Sequence, residues 1–198
     1  MLNPYFGMSA KKISDLFGFT YNPDYKARYA RLVKLIFKQN VKKQRIHEFE
    51  AAGIEVKTVR IKRNGSPAEA MSFKAIDFCE IVDEEWEDSD FFQSVVSKFV
   101  FVIFVENEQD EYNLFNVKLW NMPLKDYHEA HRIWEDTKIK ISNGDYNNFL
   151  KSSDSDVAHV RPHGVKGEMK ETPQGTLEKP KSFWLNAKYI KSILADLF

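Results

Sequence analysis

The 198 residues carry 29 Lys+Arg against 29 Asp+Glu, a formal net charge of zero, with 43% hydrophobic and 14% aromatic side chains. That apolar content, 16 Phe included, excludes global disorder and suits one packed domain, expected over residues 1–198. The longest apolar run, Phe99 to Val105, is far below the roughly twenty residues of a membrane span, the start lacks a signal-peptide pattern, and one cysteine excludes a disulfide framework. A soluble cytoplasmic domain is the expectation.

In chain order, Ser9 to Phe17 reads as a short helix, capped by Ser9 and ended by Gly18. Asn22 and Pro23 suit the start of a second helix, whose apolar stripe is Tyr25, Tyr29, Leu32, Val33, Ile36 and Phe37. Ile54 to Lys62 is rich in β-branched residues and predicts a strand. Asn64-Gly65 signals a turn, and Met71 to Phe78 reads as the returning strand of a hairpin. Trp86 to Lys98 predicts a helix with an acidic start, favourable at the positive end of the helix dipole.

Phe99 to Val105 is apolar at every position, as a strand covered on both faces must be. Tyr112 to Trp120 is a further strand. Pro123 opens a helix to about Ile141, with Leu124, Tyr127, His131 and Trp134 expected on one face. Val157 to Arg161 and Phe183 to Leu185 read as short strands flanking a long loop, Gly164 to Lys181. Asn186 is expected to cap a last helix carrying Tyr189, Ile190, Ile193, Leu194 and Leu197. The order predicts an α/β fold, a mixed sheet with helices packed on it.

Zero net charge argues at first sight against a nucleic-acid partner. It conceals two opposed blocks, however. Tyr25 to His47 has eight basic residues and no acid, whereas Asp77 to Asp90 has eight acids and no base. The tail is mildly basic again, from Arg161 to Lys191. Single charge runs are commonly solvated faces. Two basic segments that converge would instead make a phosphate-facing surface.

Several constellations bear on chemistry. In Gly53-Ile-Glu55-Val-Lys57-Thr58, alternation along a strand puts Glu55 and Lys57 on one face. A carboxylate and an ammonium so placed can hold Mg²⁺ and orient a water near a phosphate, given a second carboxylate such as Glu48. The same pattern also arises as a plain charge pair. His128 and His131 are one helical turn apart, but His131 shares a face with Trp134, so packing is favoured over zinc. Pro162 between His159 and His163 excludes a helical metal motif. Cys79 lies among Asp77, Glu80 and Asp83, which would raise its pKa and blunt it as a nucleophile. Arg161-Pro162-His163 opens the basic loop and Phe183-Trp184-Leu185 closes it. An arginine there can make bidentate contacts to guanine, and the aromatic and lysines can serve base edges and phosphates.

The run Glu48-Phe-Glu-Ala-Ala-Gly-Ile-Glu55-Val-Lys57-Thr58 resembles the D-F-x-x-x-G-x-E-L-K-T segment of the MutH family of GATC-specific endonucleases. Ala158-His-Val-Arg161-Pro162-His163, with Phe183-Trp184-Leu185, resembles that family's DNA-reading segment. The resemblance implies a restriction-endonuclease-like α/β core, Mg²⁺ dependence and double-stranded DNA containing GATC as substrate. It implies that Glu48 stands for the family's metal-binding Asp, beside the retained Glu55 and Lys57. Lys34 replaces a family carboxylate, and Lys98 is a supporting lysine. Lys26 retains half of a minor-groove Lys-Gly pair, and Arg161, Pro162 and Trp184 retain the reading positions. Lys42, Lys43, His163 and Lys181 complete the expected DNA-binding set, and Glu48 with Glu55 is the expected metal pair if the site is active. The reading residues thus match better than the catalytic ones. This pattern is similar to the C-terminal, DNA-binding domain of GATC-cutting type II restriction enzymes. The implied partner is a catalytic MutH-like domain of the same polypeptide, and the alternative is an active Mg²⁺-dependent endonuclease.

Overall fold

The computed structural model describes residues 2–25, 27–40 and 53–198, without the side chains of residues 38–40. It divides into two compact units, each assembled from separate stretches of chain. Unit 1 comprises Met1–Glu69, Ser97–Asn121 and Leu194–Phe198, and unit 2 comprises Ala70–Val96 and Met122–Ile193.

Unit 1 is built on a three-stranded sheet in the order β1-β3-β4: β1 (Ile54–Ile61), β3 (Lys98–Glu106) and β4 (Tyr112–Trp120). The continuous apolar run forms the central strand, parallel to β1 and antiparallel to β4. Its even residues Val100, Val102 and Phe104 share a core with α1 (Ala10–Leu16) and with Leu32, Val33 and Ile36 of α2 (Arg28–Asn40). Its odd residues turn to the other face, where Phe99 and Phe101 stack at 5.5 Å and both meet Trp120. Double-sided burial accounts for the absence of polar alternation in β3.

The capping expectations divide. Ser9 Oγ accepts from the Lys12 N–H, starting α1, and Gly18 beyond its end has φ +62°. Asn22 does not start α2, which begins six residues later. Its Oδ1 accepts from the Asp24 N–H in a local turn, the competing use of an Asn side chain, and Tyr25 is left exposed.

The expected hairpin between β1 and Met71–Phe78 is not formed. The Asn64-Gly65 turn exists, with Gly65 at φ +75° and its N–H bonded to the Lys62 carbonyl. The returning chain makes only an isolated bridge, Ile61 to Pro67. The Lys62 N–H bonds the Ser66 carbonyl and the Ala68 N–H bonds the Arg60 carbonyl around that bridge, and the pairing with β1 goes no further. The following strand, β2 (Met71–Ala75), belongs to unit 2.

Unit 2 holds an antiparallel sheet in the order β2-β8-β5, with β5 (Ala158–Pro162) and β8 (Lys181–Leu185). One face is apolar. Phe183 of β8 stacks on Phe91 of α3 (Asp90–Val96) at 4.2 Å, and Phe73 of β2 meets Phe91 edge-on. The predicted Trp86–Lys98 helix is split. A 3-10 turn, Trp86–Asp88, precedes Ser89, whose Oγ accepts from the Phe92 N–H and so restarts the chain as α3.

Helix α4 (Leu124–Ser142) buries Ala130, Ile133, Trp134, Thr137 and Ile141, while Leu124 is 70% exposed and lies off the expected face. Trp86 is the hub beside it, donating its Nε1–H to Tyr127 and stacking on His131 at 4.8 Å. His131 is therefore a packed aromatic partner. The long loop is not featureless: β6 (Lys170–Glu171) and β7 (Leu177–Glu178) form a small ladder. Between them, Gln174 donates to the Ile141 and Ser142 carbonyls and accepts from the Tyr146 hydroxyl, tying the loop to the end of α4. The last helix, α5 (Ala187–Ile193), is held by Tyr189 donating to Asp126.

Candidate nucleic-acid interface and nuclease strand

Period-two alternation sorts the β2-β8-β5 sheet into two faces. The register pairs Ala158 with Leu185, Val160 with Phe183 and Pro162 with Lys181, and these belong to the apolar side. His159 pairs with Trp184 and Arg161 with Ser182 on the other side, joined by Ser72 opposite Trp184.

On this second face the Arg161 guanidinium lies 3.8 Å from the centre of the Trp184 ring. Stacking on an indole suits the flat guanidinium and leaves its N–H edge available. His163 meets Trp184 edge-on at 4.9 Å, and its Nδ1 is 3.1 Å from Ser182 Oγ. Arg161, Pro162 and His163 are all exposed. Trp184 Nε1 is shielded from solvent and has no acceptor among the described residues.

Behind these lies a network that the sequence reading missed. Asn186 donates through Nδ2 to the Ser155 carbonyl at 2.6 Å, which turns its Oδ1 toward His159 Nδ1. The side chain expected to cap the last helix is thus spent on His159, although the Asn186 carbonyl does accept from the Ile190 N–H. His159 is 5% exposed, and burial pushes its pKa below the ordinary histidine value, opposed by the Asn186 bond and helped by the Arg161 charge. His159 and Arg161, with Ser152, Ser153, Asn186 and Lys188, line a groove of about 390 Å³. Alternation back from Arg161 was the available signal for His159.

Lys181 corrects an expectation. It is 7% exposed, on the side of the sheet with Phe183 and Leu185, and its Nζ lies 5.4–5.9 Å from the rings of Phe78, Tyr146 and Phe149. Burial lowers its pKa, and Glu178, 3.8 Å away, partly offsets this. A lysine so enclosed is not placed to contact phosphate. On that same side Glu80, Glu84 and Asp90 of the acidic block line a groove with Phe73, Phe91 and Phe183. Desolvation, then the neighbouring carboxylates, push the Glu84 pKa up. Glu80, Glu84 and Asp90 thus lie on the side of the sheet opposite Arg161.

The second candidate site is in unit 1. Lys57 Nζ is 2.9 Å from Glu55 Oε2, so the two side chains share a face as alternation requires. Both are half-buried, in parallel register with Phe101 and Phe99. Lys98 is exposed at the start of β3, and its N–H donates to the Gly53 carbonyl. Lys34 is exposed on α2, whose inward residues pack on the even face of β3 rather than on the face of Glu55 and Lys57. Glu48, Lys26, Lys42 and Lys43 lie outside the described residues.

Among the described residues no three metal-ligating side chains come together. Glu55 is a single carboxylate already paired with an ammonium. Mg²⁺ takes near-octahedral oxygen ligation, and Glu48, the second carboxylate expected for it, lies outside the described residues. Cys79 is exposed, with its pKa raised by partial desolvation and by Asp77 and Glu171, consistent with a thiol held protonated.

A parallel–antiparallel sheet carrying Glu-x-Lys, and a second sheet whose edge strand ends in exposed Arg161 and Pro162, suit a restriction-endonuclease-like α/β protein. The family model for the DNA mismatch repair enzyme MutH matches residues 37–136, and the chain belongs to the MutH family. It is 29% identical to the type II restriction enzyme Sau3AI of Staphylococcus aureus, over 77% of this chain and 40% of that protein. The chain thus spans well under half the length of that relative. The relationship supports a DNA-related nuclease-family function. Among the described residues no helix is long and apolar enough to cross a membrane.

Proposed function

We propose that this chain is a sequence-specific, double-stranded DNA-binding domain that reads GATC. It acts as one half of a longer type II restriction endonuclease, positioning or activating a catalytic MutH-like half. The observation that carries this reading is the face on which Arg161 is stacked on Trp184 beside His163. Such a stack holds the guanidinium fork ready for guanine O6 and N7 in the major groove. Lys26, Lys42 and Lys43 serve as phosphate contacts that add affinity without sequence preference. Gel shifts with GATC and permuted duplexes test the reading, and equal affinity for both would overturn it.

A second reading is favoured by one observation, the Glu55–Lys57 pair at 2.9 Å on β1. It makes the chain itself an endonuclease, with Glu48 and Glu55 as ligands for Mg²⁺ and Lys57 beside the scissile phosphate. Cleavage of GATC plasmid with Mg²⁺ or Mn²⁺, abolished in Lys57→Ala, would establish that reading over the first.

A further inference from the structure

The groove beside Arg161 contains a histidine whose tautomer the fold dictates. Asn186 Nδ2 donates to the Ser155 carbonyl, so Asn186 Oδ1 is the atom presented to His159. An amide oxygen only accepts, so His159 Nδ1 carries the hydrogen. The other ring nitrogen, Nε2, is then a lone-pair acceptor in the groove that the ring lines. Burial and the nearby Arg161 charge disfavour protonation, and the Asn186 bond opposes them in part.

His159 and Arg161 are two residues apart on β5 and share its outer face. Two residues of strand span about 7 Å, and the bases of one DNA strand are spaced by about 3.4 Å. That is about two base steps, so the two side chains address separate positions within one short site. The cations in this groove, Arg161 and Lys188, and the hydroxyl of Ser152 supply donors, whereas the Ser153 hydroxyl donates to Asp154. His159 supplies an acceptor that cannot donate at that atom, and in the major groove the partner for such an acceptor is an exocyclic amino group.

We infer that His159 is a specificity-determining residue, its Nε2 accepting a hydrogen bond from the amino group of a base within the same site as the guanine read by Arg161. Adenine N6 and cytosine N4 present the same chemistry. Asn186 acts through His159 and is a positioning residue. The inference rests on the proposed function, which supplies the duplex in the groove.

The test titrates the full chain by fluorescence anisotropy with four duplexes. These are GATC, a permuted site, GATC with adenine replaced by purine, and GATC with cytosine replaced by pyrimidin-2-one; the last two lack one amino group each. Wild type should bind one amino-deleted duplex about tenfold more weakly than GATC, and which one identifies the base. His159→Phe should bind GATC about that much more weakly and lose nothing further on that same duplex. A His159→Phe protein still sensitive to that deletion, or a wild type indifferent to both deletions, overturns the inference. A wild type that binds GATC and permuted duplexes equally overturns the proposed function instead. Should His159→Phe not fold, the imidazole ¹⁵N resonances of the wild type give the same answer. The Nε2 signal should shift on adding GATC duplex but not the critical amino-deleted one, and equal shifts with both would overturn the inference.

Discussion

Replacing Arg161 with lysine keeps the positive charge and removes both the flat fork and the stack on Trp184. The stack, 3.8 Å from guanidinium to ring centre at an exposed site, contributes about 0.5–1 kcal/mol. The bidentate contact to guanine discriminates by about 1–3 kcal/mol, roughly five- to 150-fold in affinity. Arg161→Lys should therefore weaken binding to GATC duplex by at least about fivefold while leaving permuted duplex nearly unchanged, because the phosphate-facing charge is kept. Trp184→Leu loses only the stack and should cost about two- to fivefold on the specific duplex. Anisotropy titrations at two salt concentrations measure both duplexes for each protein. Equal losses on the two duplexes would mean that Arg161 touches only the backbone. A larger effect from Trp184→Leu than from Arg161→Lys would refute the idea that the ring serves the guanidinium.

The depressed pKa of His159 makes stability depend on pH. The unfolded chain takes up a proton that the folded chain resists. This contribution is therefore intact above the ordinary histidine value of 6.5 and is lost as pH falls toward the folded value. Urea unfolding of wild type and His159→Gln should diverge in slope below that pH, and parallel curves would contradict it. Lys181→Met exchanges an enclosed ammonium for an apolar chain of similar length. DNA affinity should not change, and stability should hold within about 1.5 kcal/mol or rise; a flattened salt dependence of binding would return Lys181 to the interface. Gly164→Ala places a Cβ 2.6 Å from the Pro180 ring, where the His163 N–H bonds the Pro180 carbonyl. It should cost about 1–3 kcal/mol by crowding, and an unchanged melting curve would show that the loop yields freely.

Much of the fold was legible because the signals were local or strongly periodic. The all-apolar Phe99–Val105 run announced a central strand, and Ser9 announced a cap. What failed depended on choices between partners distant in sequence. Nothing in Met71–Phe78 says whether its partner is β1 or a strand over a hundred residues later, and β8 is the partner. Asn22 and Asn186 looked like caps because caps favour Asn, yet one closed its own turn and the other bonded His159. At the candidate site Arg161 and Trp184 were visible through their chemistry and the family likeness. The spacing of His159 and His163 points only to a metal motif, which Pro162 excludes, and carries no sign of the Asn186 bond. The charge of Lys181 points to phosphate, but its parity with Phe183 and Leu185 puts it on the apolar side. Alternation, applied strictly to both late strands, would have exchanged one for the other.

A single gel-shift experiment with Mg²⁺ present bears most directly on the central claim, that this chain reads GATC without cutting it alone. The account predicts that GATC duplex is retarded and remains intact, with affinity at least about tenfold above that for permuted duplex. Cleaved product from the chain alone, or equal retardation of the two duplexes, would contradict it.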